Sequence, residues 1–475
     1  ARETEEEGKV LIERLTAYPR YVKDAGTWIA ETLRPAVVQG SDAEGFARDD
    51  SWSPGDGDAR LPKKLLHRIR TRCALTTSTR IKELCAQTSH GIALTELEIA
   101  ELFTARGDDV VAVLSAANER RQDVNGDEVT YVVNRNINYT NVCYFRCQFC
   151  AFSKGKLSES LRGSPYNLDL DEIRRRTIEA WDRGGTEVCM QGGIHPEYTG
   201  ETYLEICRTV KSAVPEMHVH AFSPLEVWQG AETLEISLRE FLMRLKDAGL
   251  GTLPGTAAEV LDDEVRKELC PDKISTSQWF EVMETAHKVG LKTTATIMYG
   301  HIDRPIHWGR HLIRIRDLQM KTGGFTEFVP LPFVHMEAPI YLKGLARKGP
   351  TFRESLLMHA VARLALHPVV PNIQASWVKM GPRGVAECLN AGVNDLGGTL
   401  MNESITRAAG ASFGEELPPE EMESVISFVN RVPRQRSTAY GKPPEEQVRR
   451  SFGAAELLPI IQTPAGERYR PGSAN

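Results

Sequence analysis

Three cysteines lie close together in the segment NYTNVCYFRCQFCAFSKGK, which covers residues 138–156. Their spacing, C-x3-C-x2-C, places Cys143, Cys147 and Cys150 on one short loop. Three thiolates can hold three irons of a [4Fe-4S] cubane, and no fourth cysteine follows at a regular interval. The fourth iron then stays open to an exogenous ligand, unlike the irons of a cluster that four cysteines close for electron transfer. The pattern therefore predicts a cluster that binds a reactant.

An iron with an open coordination position can chelate the amino and carboxylate groups of S-adenosylmethionine. One electron from the reduced cluster then cleaves the sulfonium to methionine and a 5′-deoxyadenosyl radical. Phe149, between the second and third cysteines, is suited to shield the cluster edge or to pack near the adenine. The alternatives are a zinc site of three cysteines and a histidine, or three thiols in a core. Zinc usually takes pairs of ligands separated in sequence, and no histidine lies near this loop, so we prefer the radical cluster.

The composition limits the classes of protein to which the chain can belong. The 475 residues carry a formal net charge of −6 and are 41% hydrophobic and 26% charged, which is ordinary for a soluble globular protein. The slight acidity argues against nucleic acid as the main partner. No run approaches the roughly 18 apolar residues of a membrane helix, and nothing resembles a signal peptide. Nine cysteines, an odd number, favour a reducing cytoplasm, where clustered cysteines bind metal more often than they form disulfides.

From residue 131 onward, short strand-like runs alternate with helical patterns. Such alternation is typical of a parallel sheet wrapped by helices, and eight units predict a closed (β/α)8 barrel of the TIM type. In that fold the chemistry gathers at the C-terminal ends of the strands. The fourth run is the weakest, since GTLPG also suits a loop. The eight predicted strands lie at residues 131–138, 186–191, 217–222, 251–255, 292–299, 326–332, 369–376 and 393–399.

Composition divides the chain into four parts. We interpret residues 1–60 as the end of a preceding module plus a linker, because residues 40–61 are rich in Gly, Asp, Ser and Pro, and within residues 8–22 we predict a short helix that ends near Pro19. Residues 61–125 carry helical patterns, one of which begins at a capping box from Thr95 to Glu98, and form a helical preamble. Residues 126–411 hold the barrel. Residues 412–475 contain a helix at 419–431 and a polar tail.

Flexible or polar residues follow several predicted strands. Gly192 and Gly193 follow the second strand, where paired glycines let the backbone approach the methionyl amine of S-adenosylmethionine, although a plain tight turn is the alternative. Glu259 follows the fourth strand and is a candidate to bind ribose hydroxyls, whereas the alternative is an exposed glutamate stabilised by a helix dipole. Thr296 on the fifth strand is a further candidate. Together with Phe149, these residues form the predicted cofactor-binding group.

More candidates lie at the ends of the fifth and eighth strands. Tyr299 and His301 are candidates for catalysis, through ligand contact or proton relay, although a structural histidine fits equally well. Asn394 and Asp395 lie where polar edges of a substrate or cofactor are recognised, with barrel closure as the alternative. Four polar residues near the third strand are compatible with a ligand contact or a structural role: His218, His220, Ser223 and Glu226.

Four segments together resemble a known family: NVCYFRCQFCAF, TEVCMQGGIHP, LPGTAAEVL and NDLGGTLMNESITRAAGA. They are similar to the radical S-adenosylmethionine enzymes of deazaflavin biosynthesis, and within these to the 4-hydroxybenzyl-transferring component of FO synthase. The resemblance covers roughly residues 65–435. The cysteine motif identifies only the superfamily, whereas QGGIHP and NDLGGTLM are more specific.

This resemblance implies a reaction and its partners. A deoxyadenosyl radical takes a hydrogen from L-tyrosine, the Cα–Cβ bond breaks to give 2-iminoacetate, and the 4-hydroxybenzyl fragment adds to C5 of 5-amino-6-(D-ribitylamino)uracil. An electron donor and a module that closes the deazaflavin ring are implied, and residues 1–60 resemble the end of such a module in a fused enzyme. Menaquinone-pathway relatives, aminofutalosine synthase and dehypoxanthine futalosine cyclase, remain the alternative family. A non-catalytic iron–sulfur or zinc protein is the alternative from another class.

A primary radical also demands a dry, closed site, because it abstracts hydrogen from whatever lies near. Two parts of the chain flank the predicted barrel and are candidates to cover its mouth. These are the helical preamble and the tail residues Arg434, Arg436 and Tyr440.

Overall fold

A computed structural model of the chain describes Val22 and residues 24–71, 76–153 and 164–462. The expected short helix that ends near Pro19 lies outside the described residues, as do Cys73 and the tail from residue 463 onward. Among the described residues, no helix combines the length and the apolar character needed to cross a lipid bilayer.

In the part of the chain that the structure describes, nine strands form two parallel sheets. The larger sheet has six strands in the order β2–β3–β4–β5–β6–β7, and the smaller has the order β8–β1–β9. All described pairings between these strands are parallel, as expected for strands joined by helical crossovers. The strands are β1 (Glu128–Val132), β2 (Asn134–Ile137), β3 (Glu187–Met190), β4 (His218–Ala221), β5 (Leu250–Leu253), β6 (Lys292–Tyr299), β7 (Phe325–Pro332), β8 (Asp395–Gly398) and β9 (Val432–Gln435).

Single parallel bridges join the edges of the two sheets into a ring. Phe328 on β7 bridges Ile373, and the next residue, Gln374, bridges Asp395 on β8. On the other side, Met401 after β8 bridges Arg135 on β2. The pairing thus runs from β2 through β7 to residues 373–374 and β8 and then back to β2. The predicted strand-helix barrel is confirmed in this form, with regular hydrogen bonding over six strands and single bridges elsewhere.

Two elements differ from the sequence-based expectation. The predicted seventh strand at 369–376 is reduced to the bridge residues 373 and 374, because Pro371 within it and Pro368 just before it supply no backbone donor. A ninth strand, β9, lies in the region expected to be only a polar tail, and it pairs with β1 outside the ring. The weakest prediction, the fourth strand, is confirmed as β5.

Helices fill the connections and flank the barrel. Many begin at side-chain caps; the capping box expected at Thr95 and Glu98 is present, and Thr351 with Glu354 forms another. The helices are Ala25–Trp28, Arg34–Gln39, Lys63–Thr71, Thr79–Ser89, Glu96–Leu102, Asp108–Asn125, Leu170–Asp182, Gly200–Ala213, Pro224–Thr233, Leu238–Asp247, Asp263–Leu269, Thr276–Lys288, Pro305–Thr322, Pro339–Leu342, Phe352–Leu366, Trp377–Leu389 (broken at Gly381), Ile405–Ala408, Pro419–Phe428 and Glu445–Ser451.

The helical preamble packs on the outer helices of the barrel. The helix Glu96–Leu102 lies against Pro305–Thr322, where Arg316 donates to the carbonyl of Leu94 at 2.9 Å. Buried Arg353 of the helix Phe352–Leu366 donates to the carbonyls of Phe103 and Ala105 at 3.1 and 2.9 Å. These guanidinium contacts satisfy carbonyls on both sides of the helix Glu96–Leu102 that would otherwise lack a donor.

The segment 41–59, which its composition indicated as part of a linker, packs against the barrel. Trp52 is 1% exposed, and its ring meets the ring of Phe352 edge-on at 5.1 Å. Gly55 donates to the carbonyl of Lys379 at 2.7 Å and accepts from the backbone of Ser412 at 2.9 Å. Its many turn-forming residues therefore shape a packed irregular segment and not an exposed connection. The domain boundary itself stays a prediction.

The tail following β9 fills the lower end of the barrel, away from the C-terminal ends of the strands. Arg436 donates to both oxygens of Asp395, at 2.6 and 2.9 Å, and Tyr440 donates to Glu327 at 2.6 Å. Asp395 is the first residue of β8, and Glu327 lies near the start of β7. The expectation that Arg436 and Tyr440 cover the barrel mouth is therefore wrong; Arg434 instead pairs on the surface with Glu128.

Candidate active site

The cysteine loop after β2 is held at several points by backbone hydrogen bonds. The amide of Gly193 donates to the carbonyl of Thr140 at 2.8 Å, and the amide of Tyr144 donates to Ile194 at 3.1 Å. Farther along, the amide of Gln148 donates to Leu269 at 2.9 Å. The loop therefore crosses from the β3 side of the barrel mouth to the helix that follows β5. Its conformation is set by contacts far apart in sequence.

A cavity of about 260 Å³ opens beside this loop. All three cysteines of the motif line it, as do Phe149 and Gly192–Gly193 from the predicted group. Glu259 and Thr296 line it as well, so the structure brings together eight of the predicted residues. Apolar side chains complete much of the wall: Phe145, Phe152, Ile194, Leu225, Met298, Leu331, Phe333 and Val334.

The two glycines are required by close approach and not by an unusual φ. A Cβ on Gly192 would lie 2.3 Å from the ring of Tyr139. A Cβ on Gly193 would lie 2.2 Å from the carbonyl oxygen of Val142 and 2.9 Å from Cβ of Cys143. The chain after β3 therefore lies directly against the base of the cysteine loop, and any larger residue would displace that loop.

Glu259 has a buried partner that its sequence context did not indicate. The ammonium of Lys273 lies 2.5 Å from a carboxylate oxygen of Glu259 and 5.4 Å from the centre of the Phe149 ring. Burial by itself would raise the pKa of Glu259, but the charges of Lys273 and Arg266 outweigh it and hold that pKa below its usual value. For Lys273, burial opposes the charge, but the carboxylate of Glu259 raises its pKa above the usual value. The pair is therefore ionised at neutral pH.

A second lysine approaches the cavity from the helix Trp377–Leu389. Lys379 lines the cavity together with Thr406, whose hydroxyl accepts from its ammonium at 3.4 Å. Burial lowers the pKa of Lys379 to about 8. Neither Lys273 nor Lys379 was singled out from the sequence, because isolated lysines in helix-like surroundings form no motif with characteristic spacing.

Glu226, one of the four polar residues left open near the third strand, also lines the cavity. It accepts hydrogen bonds from the hydroxyl of Tyr139 and from the amide of Gly192, the latter at 3.2 Å. It also caps its own helix through Ser223, which donates from its amide at 2.6 Å. Burial raises the pKa of Glu226 above its usual value. The residue thus fastens the Gly192 turn to the helix Pro224–Thr233.

Four other predicted residues do not line the cavity among the described residues. Tyr299 points away from the side of β6 that carries Thr296 and Met298, and its ring packs edge-on against Trp308 at 5.8 Å. Both ring nitrogens of His301 contact backbone: Nε2 lies 3.0 Å from the carbonyl of Met298, and Nδ1 accepts from Ile302 at 2.8 Å. Direct catalysis requires contact with a ligand, which these two positions do not provide.

Asn394 and Asp395 lie at the start of β8, below the cavity. The side-chain oxygen of Asn394 accepts from Arg363 at 2.7 Å and from the amide of Ile373 at 2.9 Å. Asp395 pairs with Arg436 as described above. These contacts match barrel closure, the alternative that the sequence left open, and they place neither residue at a ligand.

The donor set at the cavity fits a cubane cluster with three protein ligands. Three thiols stand on one loop at one cavity, and burial raises the pKa of Cys147 and Cys150. These thiols keep their protons at neutral pH unless a metal displaces them, and iron does so because thiolate is its preferred ligand. His195, the histidine nearest the loop along the chain after β3, does not line the cavity among the described residues. A zinc site of three cysteines and a histidine is thus unsupported.

Comparison with known proteins decides the family. Residues 137–310 match the profile of the radical SAM superfamily, and residues 322–447 match the CofH/MqnC C-terminal region. The chain is 50% identical to the 5-amino-6-(D-ribitylamino)uracil–L-tyrosine 4-hydroxyphenyl transferase of Methanopyrus kandleri, over 70% of this chain and 89% of that relative. The chain belongs to this radical S-adenosylmethionine family. Its cofactors are accordingly a [4Fe-4S] cluster and S-adenosylmethionine.

Longer family members match over most of this chain. It is 43% identical to the FO synthase of Streptomyces coelicolor, over 96% of this chain and 57% of that protein. It is also 43% identical to the FO synthase of Mycobacterium tuberculosis, over 92% of this chain and 55% of that protein. The chain thus spans a little over half the length of these relatives.

Solved structures support the fold. One is HydG, a maturase of the [FeFe]-hydrogenase, with a TM-score of 0.59 at 16% identity over 80% of this chain and 81% of that one. Another is methylornithine synthase (PylB), with a TM-score of 0.57 at 18% identity over 74% of this chain and 97% of that one. At such identities the likeness concerns the barrel and not the substrate.

Proposed function

We propose that this chain cleaves L-tyrosine and transfers its 4-hydroxybenzyl group to 5-amino-6-(D-ribitylamino)uracil, releasing 2-iminoacetate, in the biosynthesis of the deazaflavin FO. The observation that carries the proposal is the 50% identity to a transferase of that name over 89% of its length. The cysteine loop and the cavity beside it supply the site such a reaction needs. Activity, substrates and partners of the longer FO synthases come to this chain only as part of this proposal.

The cysteine loop and the turn after β3 prepare the cofactor site. Cys143, Cys147 and Cys150 would hold three irons, leaving one iron for S-adenosylmethionine. Gly192 and Gly193 bring main-chain groups to the cavity wall at a point where no side chain fits. When bound, the cluster and S-adenosylmethionine supply a primary carbon radical.

The charged and the apolar side chains of the cavity wall have different roles. The paired Lys273 and Glu259 present a fixed, ionised pair beside Phe149, which suits polar groups of the nucleoside and methionyl parts of the cofactor. Apolar side chains on β6 and after β7, such as Met298 and Phe333, limit water at the cavity. Exclusion of water prevents quenching and strengthens electrostatic contacts to bound substrate.

Further partners belong to the same proposal. The product requires a second activity that closes the deazaflavin ring, and radical initiation requires a one-electron donor. We assign both to separate modules, the first of which corresponds to the part of the longer FO synthases that this chain does not match. The free thiols of all eight described cysteines suit a reducing cytoplasm.

One observation also favours a second function in the same superfamily. The C-terminal profile joins CofH with MqnC, so the region 322–447 does not separate a tyrosine-cleaving enzyme from a menaquinone-pathway relative. Substrate dependence does separate them. The 50% identity to the tyrosine transferase supports the first function.

The proposal is tested with anaerobically reconstituted protein, a chemical reductant and S-adenosylmethionine. We expect 5′-deoxyadenosine to form with L-tyrosine, and a 4-hydroxybenzyl adduct to appear only when 5-amino-6-(D-ribitylamino)uracil is also present. Cys147→Ala should lose bound iron and turnover, because a methyl group cannot ligate iron, whereas the matched Cys85→Ala should retain both. No tyrosine-dependent 5′-deoxyadenosine from iron-loaded protein would refute the assignment.

A further inference from the structure

Lys379 is a half-buried cation for which no described residue supplies an ion pair. Its ammonium donates to the neutral hydroxyl of Thr406 at 3.4 Å, a long hydrogen bond. The charge of the nearby carboxylate Glu403 acts on Lys379, but the second oxygen of that carboxylate has no hydrogen-bond partner among the described residues, and no ion pair joins the two side chains there. Burial without a counter-ion disfavours the charged form, which explains why the pKa of Lys379 falls to about 8. The group is still mostly protonated at neutral pH and lacks an anion.

The other lysine of the cavity is already neutralised. Lys273 lies 2.5 Å from Glu259 and stands beside Phe149 in the cysteine loop. Lys379 enters from a different direction, on the helix that follows residues 373–374, the seventh position of the ring. Among the described residues, the cavity therefore has one satisfied cation beside the cysteines and one unsatisfied cation on the wall between β7 and β8.

We propose that Lys379 binds the α-carboxylate of the amino-acid substrate, with Thr406 orienting its ammonium. This inference rests on the proposed function, because it names L-tyrosine as the source of the carboxylate. A carboxylate in the cavity would supply the counter-ion that the fold does not provide. Charge-assisted hydrogen bonds of this kind are about twice as strong as neutral ones, and more so where water is excluded.

The backbone around Lys379 holds it in place for such a role. The amide of Gly55 donates to its carbonyl at 2.7 Å, and the hydroxyl partner Thr406 is fixed by its own amide, which donates to Glu403 at 2.8 Å. Lys379 and Thr406 come from the two connections on either side of β8. A carboxylate between them would lie on a different part of the cavity wall from the Lys273–Glu259 pair, which follows β5.

S-adenosylmethionine also carries a carboxylate, so the test must separate the two sources. We would measure dissociation constants of the anaerobically reconstituted holoenzyme for L-tyrosine, tyramine and 3-(4-hydroxyphenyl)propionate, and separately for S-adenosylmethionine. Tyramine lacks the carboxylate, and 3-(4-hydroxyphenyl)propionate lacks the amine. The variants are Lys379→Met, which keeps the length and loses the charge, and Lys379→Arg, which keeps the charge. Arg383→Met is the matched control, because Arg383 is exposed on the same helix.

The expected result is a selective loss of carboxylate binding. Lys379→Met should weaken L-tyrosine and 3-(4-hydroxyphenyl)propionate by roughly 10- to 100-fold, the range for a hydrogen bond to a charged group. Tyramine and S-adenosylmethionine should change by less than about twofold, Lys379→Arg should retain part of the affinity, and Arg383→Met should behave as wild type. The ratio of L-tyrosine to tyramine affinity is taken within each variant, so a general loss of folding cannot produce the result.

Three outcomes overturn the inference. They are an unchanged affinity of Lys379→Met for L-tyrosine, an equal loss for tyramine, and a loss confined to S-adenosylmethionine. A separate measurement of 5′-deoxyadenosine keeps the two proposals distinct. Wild-type protein that binds L-tyrosine through Lys379 but does not consume it refutes the proposed function and supports the carboxylate site. Wild-type turnover with L-tyrosine alongside unaffected binding in Lys379→Met does the reverse.

Discussion

At the scale of single residues, the two lysines of the cavity show how the same side chain serves different purposes. Lys273 and Glu259 neutralise each other, with side-chain exposures of 9% and 7%. Among the described residues, the partner of the Lys379 ammonium is a hydroxyl, that of Thr406. A buried pair that is fully satisfied sets the shape of a site, whereas a buried charge without a counter-ion is available to a ligand.

The Lys273–Glu259 pair gives a first prediction. Glu259→Gln leaves the ammonium of Lys273 buried without an anion, so we expect the free energy of unfolding of the apo-protein to fall by about 3–5 kcal/mol at pH 7. The double variant Glu259→Gln/Lys273→Met should recover much of that loss, because it removes both charges. Denaturant unfolding of the single and double variants measures this coupling. A loss below about 1 kcal/mol for Glu259→Gln would contradict the buried pair.

The sequence predicted the residues of the cavity that belong to motifs. The three cysteines, Phe149 and the glycine pair were found because their spacing or their position after a strand carries information. Lys273 and Lys379 were missed because only long-range packing brings them to the cavity. Tyr299 and His301 were selected for their position near a strand end, but the alternation of β6 turns Tyr299 outward and backbone contacts occupy His301.

At the scale of elements, the site depends on how the cysteine loop lies against the turn after β3. The amide of Gly193 donates to Thr140, and the space for a Cβ at Gly193 is already filled by Val142 and Cys143. The two elements therefore fix one another. A loop that must hold three irons at defined distances gains its rigidity from this contact and not from its own short sequence.

Gly193→Ala tests that dependence. The added methyl would lie 2.2 Å from the carbonyl oxygen of Val142, so the cysteine loop must shift. Since a misplacement of about 1 Å can cost on the order of 100-fold in rate, we expect turnover to fall by about that factor and bound iron to decrease. Gly26→Ala is the control, because nothing lies within 4 Å of its added Cβ. Wild-type iron content together with wild-type turnover in Gly193→Ala would contradict the prediction.

Element prediction was accurate where the local pattern was strong. Seven of the eight expected strands coincide with strands of the structure, and the capping box at Thr95 was recognised from its spacing. The predicted seventh strand does not form a regular strand because Pro368 and Pro371 supply no backbone donor. β9 was missed since VPRQ is short and contains a proline, and only its pairing with β1 makes it a strand.

At the scale of the whole molecule, the barrel is closed below by its own C-terminal region. Glu327, Asp395, Arg436 and Tyr440 form a buried polar cluster inside the ring. Burial raises the pKa of Glu327 to about 7, against the lowering effect of Arg436. The carboxyl group of Glu327 therefore titrates near neutral pH, while Asp395 stays hydrogen-bonded to Arg436.

This cluster predicts a pH dependence of stability. The folded pKa of Glu327, about 7, lies above its ordinary value of 4.5, so the folded state binds the proton more tightly. The free energy of unfolding that the protonated carboxyl group of Glu327 contributes is fully present below about pH 4.5. It is lost as the pH rises through about 7. Relative to Glu327→Gln, wild-type protein should lose about 3 kcal/mol of unfolding free energy over that window. Denaturant unfolding at several pH values checks it, and identical pH profiles for the two proteins would contradict it.

A matched control addresses general effects of removing a carboxylate. Glu128 at the start of β1 is exposed and pairs on the surface with Arg434 at 2.8 Å. Glu128→Gln should therefore follow the wild-type pH profile, because surface ion pairs contribute little. A change equal to that of Glu327→Gln would assign the pH dependence to net charge.

The overall architecture could be predicted from the alternation of strands and helices, but its closure could not. Bridges such as Phe328–Ile373 and Arg135–Met401 involve single residue pairs without a repeating pattern. The direction in which the C-terminal region runs, to the bottom of the ring and not to its mouth, depends on the buried charges of Glu327 and Asp395. These act on Arg436 over more than 40 positions of sequence, beyond the reach of any local pattern.

The hydrogen bonds of Gly55 connect the active site to a segment that lies before the regions matched by the family profiles. The matching profiles begin at residue 137. Gly55, which lies before them, donates from its amide to the carbonyl of Lys379 and accepts from the backbone of Ser412. A shortened protein that starts at the first barrel strand would keep every cysteine and glycine of the cofactor site. It would nevertheless lack the Gly55 contacts behind the part of the cavity wall where substrate is expected to bind. We expect such a protein to bind substrate poorly while it still carries iron.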